Sequence, residues 1–499
     1  MAINSVGIGT SILNQSVVDL KNQLTELQSQ LTTGKKSTSY AGMGVNEGFA
    51  IAARAQLASI SAFSDTMSNI NTNIGVANTA LQSMVDIGTT VLNSANSSSP
   101  ALNSAGQTIG QQTATSQLSS MLGILNTQAG DRYLFSGSAI NTPSVASMDD
   151  ILNGTATQAG LKQVISERQQ ADLGTSGLGR LIISSPTPTS VQVAEDVAGS
   201  PFGFKLNAIS SSLTGSIVTG PTGSPSAVSV DLGVTNPSNG DKVSFKFNLP
   251  DGTTETIQLT ASSATPPPAG SFAIGATPAA TAANLNAALN TAIGTLANTS
   301  LVAASAIAAG NDFFGAPPQR VGTTPLGSAT TLVNGTANTV SWYTGEAGPG
   351  AARATATARV DQSVTVQYGA RANESAIRLQ LQTLAVFSAV TTSTANPNAG
   401  AQVAALSQRV AQNLTPQPGQ QTIEDIQSDF ATAQMTMKDA TSRQKQTQGM
   451  LQGIVDQAEN VAPDQVASEI LALQTALQAS YQTTSMLSQL TLTKYLPIG

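Results

Sequence analysis

Cysteine and histidine are both absent from the chain. Without an imidazole or a thiolate there is no histidine base, no cysteine nucleophile and no zinc site of the common kind. The chemistry that remains rests on carboxylates, lysines and tyrosines. A carboxylate pair like that of a glycosidase is possible in principle. No motif sets two acids together, so the expectation is a non-enzyme with no catalytic residues, no cofactor and no metal. Zero cysteine suits a reducing compartment, and equally an exported protein that must not cross-link. Charge is scarce as well. Asp, Glu, Lys and Arg make up 10% of the 499 residues, against ~25% in an average soluble protein. Surfaces must then be built from Ser, Thr, Asn and Gln. The formal net charge is −7 with no basic block, which argues against a nucleic-acid partner. No apolar run is long enough to span a bilayer, so no membrane partner is expected. The first residues, Met1-Ala-Ile-Asn-Ser, lack the basic and apolar regions of a cleaved secretory signal.

What is present is a heptad seam. Leu13, Val17, Leu20, Leu24, Leu27 and Leu31 follow one another at gaps of four and three, the a/d spacing of a coiled coil. Gly34 stands where a helix needs a left-handed residue to end, with Lys35 and Lys36 beyond it. So narrow a seam is no core by itself, and its partner is expected at the other end of the chain. A second helical block is predicted over about 45–96, with Met67, Ile70, Ile74, Ala77, Leu81, Met84, Gly88 and Val91 in register. About fifty helical residues make roughly 75 Å. Between Thr66 and Asn96 the only charged side chain is Asp86. A free coiled coil usually carries Glu and Lys on its flanks. Uncharged flanks suit a helix with other protein on most sides, because hydrogen-bonding amides and hydroxyls cost less to bury than charges. A loop near 97–100 precedes a third helix, about 104–128, with Leu118, Leu122 and Leu125 on one stripe. Residues 130–137 read as a short strand, with Tyr133 and Phe135 as core.

From about 143 to 360 the period switches to two. Val228, Val230, Leu232 and Val234 alternate with polar or glycine neighbours, and Val243, Phe245, Phe247 and Leu249 do the same. Pro250-Asp-Gly252 supplies turn chemistry before Ile257 and Leu259, so a hairpin of a β-rich domain is predicted. Thr277-Pro278 opens a helix with Leu285, Leu289, Ile293 and Leu296 on its buried face. Trp342 reads as core. Helical spacing returns at about 371, with Ile377, Leu381, Leu384 and Phe387, and resumes after a loop as far as Asn413. A long run from about 422 to 460 carries Ile426, Phe430, Ala433, Met437 and Ala440, then Leu451, Ile454 and Ala458. Pro463 starts the last helix, striped by Ile470, Leu473, Leu477 and Tyr481, with Leu487 and Leu490 further on. The predicted fold is mainly α with a β-rich insertion. Long coiled-coil helices from both termini form a rod, and an α+β middle domain lies at its outer end. The segments are 1–142 (N-terminal rod), 143–360 (variable outer domain) and 361–499 (C-terminal rod), the termini pairing parallel or antiparallel. The assembly interface is expected at Leu13, Val17, Leu20, Leu24, Leu27, Leu31, Ile470, Leu473, Leu477, Leu487 and Leu490.

The helix end Leu24-Thr-Glu-Leu-Gln-Ser-Gln-Leu-Thr-Thr-Gly-Lys-Lys36 resembles that of the bacterial flagellin family. The likeness covers about 1–140 and 360–496, and the middle matches in role only. Three stretches resemble the family's hook-associated type 3 branch, the hook–filament junction proteins. They are Gly130-Asp-Arg-Tyr-Leu-Phe-Ser-Gly-Ser-Ala-Ile-Asn-Thr-Pro143, Val366-Gln-Tyr-Gly-Ala-Arg-Ala-Asn-Glu374 and Leu487-Ser-Gln-Leu-Thr-Leu-Thr-Lys-Tyr-Leu496. The tail continues for Pro497-Ile-Gly499, and the middle is large for a junction protein, which keeps a filament flagellin as the alternative. The resemblance implies export through the flagellar apparatus without a cleaved signal, an extracellular place in the flagellum, and a structural role in motility. It implies termini that fold on entering a polymer. The implied partners are further copies, neighbouring axial proteins (other hook-associated proteins and flagellin) and an export chaperone on the C-terminal helix. Alternatives of other classes are a secreted binding or adhesion module carried by the middle domain, and a two-carboxylate carbohydrate enzyme.

Overall fold

The computed structural model describes residues 4–97, 101–322 and 324–489. Helix α1 (Asn4–Thr33) is followed by a 3-10 turn (Tyr40–Asn46) and α2 (Glu47–Ser97). After α3 (Ile109–Leu125) come β1 (Gln128–Ala129), β2 (Arg132–Tyr133), α4 (Met148–Asn153) and α5 (Leu161–Leu173). The insertion's strands are β3 (Leu181–Ser184), β4 (Ser190–Glu195), β5 (Lys205–Ser211), β6 (Ile217–Thr222), β7 (Ala227–Asp231), β8 (Lys242–Asn248), β9 (Thr254–Ser262) and β10 (Ser271–Ala273). A continuous helical run joins α6 (Pro278–Leu296), a π turn (Ala297–Leu301) and α7 (Val302–Phe314). The short strands β11 (Gln319–Val321), β12 (Leu332–Asn334), β13 (Thr357–Arg359) and β14 (Thr365–Gln367) lead to α8 (Ser375–Ala389), α9 (Ala399–Leu414), α10 (Ile423–Glu459) and α11 (Pro463–Gln489). With 54% of residues helical and the sheets small, the chain is mainly α with a β-rich insertion and long helices toward both ends.

The chain divides into two compact units. One takes Met1–Ile70, Ala358–Val366 and Gln434–Gly499, and the other Asn71–Thr357 and Gln367–Ala433. Residue 142 thus lies within the second unit and residue 360 within the first.

In the second unit the period-two stretches form two small sheets. One has the order β3-β4-β7-β6, all antiparallel; the other is β10-β9-β8-β5, with β10 parallel to β9. Their inward residues and α6 share one apolar core, in which Val228, Val230, Leu232, Phe245, Phe247 and Leu285 are buried. The predicted hairpin is β8–β9, closed by the Gly252 N–H donating to Leu249 O at 2.9 Å. Thr277 caps α6 by accepting from Ala280 N, with Pro278 in the first turn. Val234 departs from the expected stripe and is exposed. The strand stops at Asp231, whose carboxylate accepts from Gly233 N at 3.0 Å and turns the chain away. The expectation that no run could span a bilayer also needs correction. Pro278–Phe314 is long and apolar enough by composition. Its apolar surface is turned inward instead, with 61% of its most apolar 18-residue window buried, as in a core helix.

The helical part of this unit is centred on α8, which packs against α3, α7 and α9 and is buried along most of its length. Its neighbours are joined by amides and hydroxyls rather than charges. Gln382 Nε2 donates to Asn311 Oδ1 at 2.6 Å, and Gln111 Nε2 donates to Val390 O at 2.7 Å. Helix α3 begins later than its spacing suggests, because Thr108 and Gln111 form a capping box. The predicted α2 stripe is buried here from Ile74 through Leu81 and Met84 to Val91. At Gly88 an added Cβ would lie 3.0 Å from Gln380 Nε2, which donates to Met84 O. The polar flank at Thr79, Gln82, Thr89 and Asn93 faces solvent in the single chain. Trp342 is core, as expected, and its Nε1 donates to Phe314 O at 3.3 Å. Residues 128–133 form a hairpin turning at Gly130-Asp131 rather than one strand, and Tyr133 is half-buried while Phe135 is core.

In the first unit, Ala53 on α2 packs with Leu451 and Val455 on α10. Ile454, expected on that stripe, is exposed. The buried row passes through Gln444, which donates to Val360 O at 2.7 Å, and then Leu451, Val455 and Ala458.

Candidate assembly surface

Helices α1 and α11 pack against each other in the first unit. Gly34, at φ +68°, ends α1 as its position predicts, with its N–H donating to Gln30 O at 2.8 Å. The chain then meets the end of α10. The Val461 N–H donates to Gly34 O at 3.0 Å, and the Lys36 N–H donates to Glu459 O at 2.7 Å. Because α11 starts where α1 stops and packs back along it, the pair is antiparallel. This resolves the orientation that the seam left open.

The predicted seam residues share one face but are incompletely covered. Leu13, Val17, Leu20, Leu24 and Leu27 are half-buried, and Leu31 is 44% exposed. On α11, Ile470 and Leu477 are buried and Leu473 is half-buried. Leu487 belongs to α11 and keeps the spacing. Its side chain and the whole of Leu490 lie outside the described residues. Tyr481 is not on the stripe. It is exposed, and the row Val466, Ile470, Leu473, Leu477 continues through half-buried Ser480 and Thr484. Apolar side chains also stand free on the outer sides of the pair, at Ile12, Val18, Leu471 and Met486. The turn after α1 presents Val45 and the start of α2 presents Phe49, 90% and 67% exposed. The same four-three pattern on α2 is buried at each apolar position from Met67 to Val91 apart from half-buried Gly88. Pattern alone therefore did not distinguish a finished seam from an open one.

Sequence spacing gave no sign of the polar clamp at this joint. Arg54 is bidentate on Glu459, with Nε to Oε1 and the outer guanidinium nitrogen to Oε2 both at 2.7 Å. The hydrogen bonds from Arg54 hold the Glu459 carboxyl below its ordinary pKa, against the opposing effect of burial, and Lys35 adds to the lowering. The Lys36 ammonium donates to Gln457 O at 2.6 Å, in the last turn of α10, where a cation suits the helix dipole.

Two of the distinctive stretches, 130–143 and 366–374, the latter from Gln367 onward, come together in the second unit. The Gly137 N–H donates to Ala370 O at 3.0 Å and the Ala372 N–H to Phe135 O at 2.8 Å. Arg371, buried, donates to Glu346 Oε1 at 3.0 Å and to the carbonyls of Gly348 and Gly350. The Ser138 N–H holds the other Glu346 oxygen at 2.9 Å, and the Ser138 side chain and backbone together lower that carboxyl's pKa. Burial pushes the neighbouring Tyr343 hydroxyl up to about 12. Their residue types are thus explained by a joint within the fold. The third stretch, 487–496, lies outside the described residues except for the backbone of 487–489.

An acid pair, buried Asp172 and half-buried Asp312, is also tied up. Arg168 lies between Asp172 Oδ2 at 2.9 Å and Asp312 Oδ2 at 2.7 Å, with Phe202 stacked 5.1 Å from it. Burial raises both carboxyl pKa values. Asp172 Oδ1 accepts from Gly203 N at 2.8 Å. No group of three metal-ligating side chains occurs among the described residues. No known protein-family model matches the chain, and no curated protein matches it.

Proposed function

We propose that this chain is a structural subunit of the bacterial flagellum, a flagellin-like hook–filament junction protein that polymerises through its terminal helices and serves motility without enzymatic activity. The observation that carries the reading is the half-covered α1/α11 seam, with free apolar side chains on its outer sides. Fully burying a leucine is worth about 1.5–3 kcal/mol. Completing five half-buried positions on α1 therefore makes roughly 5 kcal/mol available to association. A helical pair this thin and this poor in charge gains little by standing alone, since ordering its chain opposes folding. Docked among equivalent helices it buries stripe and flank together, as a coiled-coil rod with the insertion outward. Export without a cleaved signal, an extracellular position, neighbouring axial proteins and a chaperone on the C-terminal helix belong to the same proposal and rest on the resemblance.

Replacing Leu24 or Leu27 by Asp is expected to leave the second unit folded and abolish incorporation. Normal assembly of either variant would refute the seam assignment. Immuno-gold labelling of isolated flagella separates the junction reading from the filament one. Label confined to the distal end of the hook supports the junction protein, and label along the shaft replaces it with a filament subunit.

A further inference from the structure

The joint after α1 forms an open cleft of about 530 Å³, lined by Thr33, Lys35, Ser39, Tyr40, Arg54 and Glu459 among others. Two cations, Arg54 and Lys35, thus line the cleft with one carboxylate, and Lys36 follows next in the chain. Arg54 is engaged by Glu459, and the Lys36 ammonium by Gln457 O. The Lys35 ammonium makes no hydrogen bond or ion pair among the described residues; only its backbone N–H is bonded, to Thr33 Oγ1 at 3.3 Å. Exposed Tyr40 and Val45 stand on the turn that follows, and exposed Phe49 on the first turn of α2. A partner covering those side chains would exclude water and strengthen any ion pair formed beneath it.

The α1/α11 pair has the opposite balance. Its charged residues are Asp19, Glu26, Asp464 and Glu469 against the single Lys21, and all of them are exposed. Among the described residues, the side chains of Asp19 and Glu469 accept only from Gln15 and Gln465 on their own helices. No acid of the pair forms an ion pair within the chain among the described residues. The basic pocket and the acidic helices are therefore complementary surfaces of one unit that do not satisfy each other in the single chain.

We infer that the Lys35 pocket receives a carboxylate, Glu26 or Glu469, from the α1/α11 pair of a second copy of this chain. The inference rests on the assembly reading above and adds a specific contact to it. The two patches differ, so the contact is heterologous. Repeated from copy to copy it builds an open polymer rather than a closed dimer.

The test is polymerisation of purified full-length chain, read as the pelleted fraction on sedimentation at 0.1 M and 1 M salt. Lys35→Glu is expected to raise the concentration needed for assembly about tenfold, as is a chain carrying Glu26→Lys with Glu469→Lys. High salt should weaken the wild type toward the same level. An equal mixture of the two reversed chains should recover assembly, since each pocket then meets a complementary partner. That recovery also shows that both variants are folded. Lys35→Glu assembling like the wild type, or reversed chains that fail to co-assemble, overturns the pocket assignment while leaving the seam reading standing. Wild-type chain that never polymerises overturns both.

Discussion

At the residue scale, amides carry much of what charge carries in other proteins. Gln111, Gln380 and Gln382 bridge buried helices with neutral hydrogen bonds, which avoids the desolvation that a buried ion demands. One buried charge is engaged from both sides, Arg168 between Asp172 and Asp312. Arg168→Met is expected to destabilise the second unit by about 3–5 kcal/mol at neutral pH, because it leaves two carboxylates buried without a counter-ion. Both carboxyls already have raised pKa values in the fold. Their contribution is therefore best when protonated, below the unfolded value, and is lost as pH rises through the folded one. The variant's deficit should accordingly shrink on acidification. Urea unfolding at pH 7 and pH 5, followed by circular dichroism, checks this, and equal stability of variant and wild type at pH 7 would contradict it. These acids were legible in the sequence only as separate residues, since Asp172 and Asp312 stand 140 positions apart.

At the scale of elements, the joint connecting α1, α2, α10 and α11 is held by few groups, and Glu459 is the most engaged of them. Its folded pKa is lowered, chiefly by the Arg54 hydrogen bonds. The stabilisation is therefore present above the unfolded value, about 4.3, and lost as pH falls through the folded one. Glu459→Gln should lower the melting temperature at pH 7, with the gap to wild type closing in the acid range below pH 4. A gap independent of pH would show that the ion pair is not its source. The helices themselves were legible. Gly34 as terminator, Thr277 as cap and the Met67–Val91 stripe follow from local rules. The displaced positions were Tyr481 and Val234, each closing a run, and Ile454, whose place is taken by its neighbour Val455. There, tertiary packing chooses among neighbouring residues with nearly equal claims.

At the scale of the molecule, the two units differ in how completely they cover their apolar surface. The second has a shared sheet–helix core and a buried central helix. The first has half-covered seams and exposed Ile12, Val18, Val45, Phe49, Leu471 and Met486. In unassembled chain the amides of α1 and α11 should exchange with solvent faster than those of α8, and should become protected on polymerisation. Hydrogen exchange read by mass spectrometry tests this, because protection follows local stability. Equal protection of α1 and α8 in the monomer would mean that the pair needs no neighbours.

The sequence by itself determined the classes of segment: heptad-spaced helices at both ends, a period-two middle, and a chemistry without imidazole or thiol. These are local properties, written in spacing and composition. Only the tertiary structure decided that α1 and α11 run antiparallel, that residues 130–143 meet 367–374, and that Arg54 clamps Glu459. Those outcomes depend on contacts between residues hundreds of positions apart, which no local period encodes. The same is true of burial. Heptad spacing states which face of a helix is apolar, and only packing states how much of that face remains uncovered.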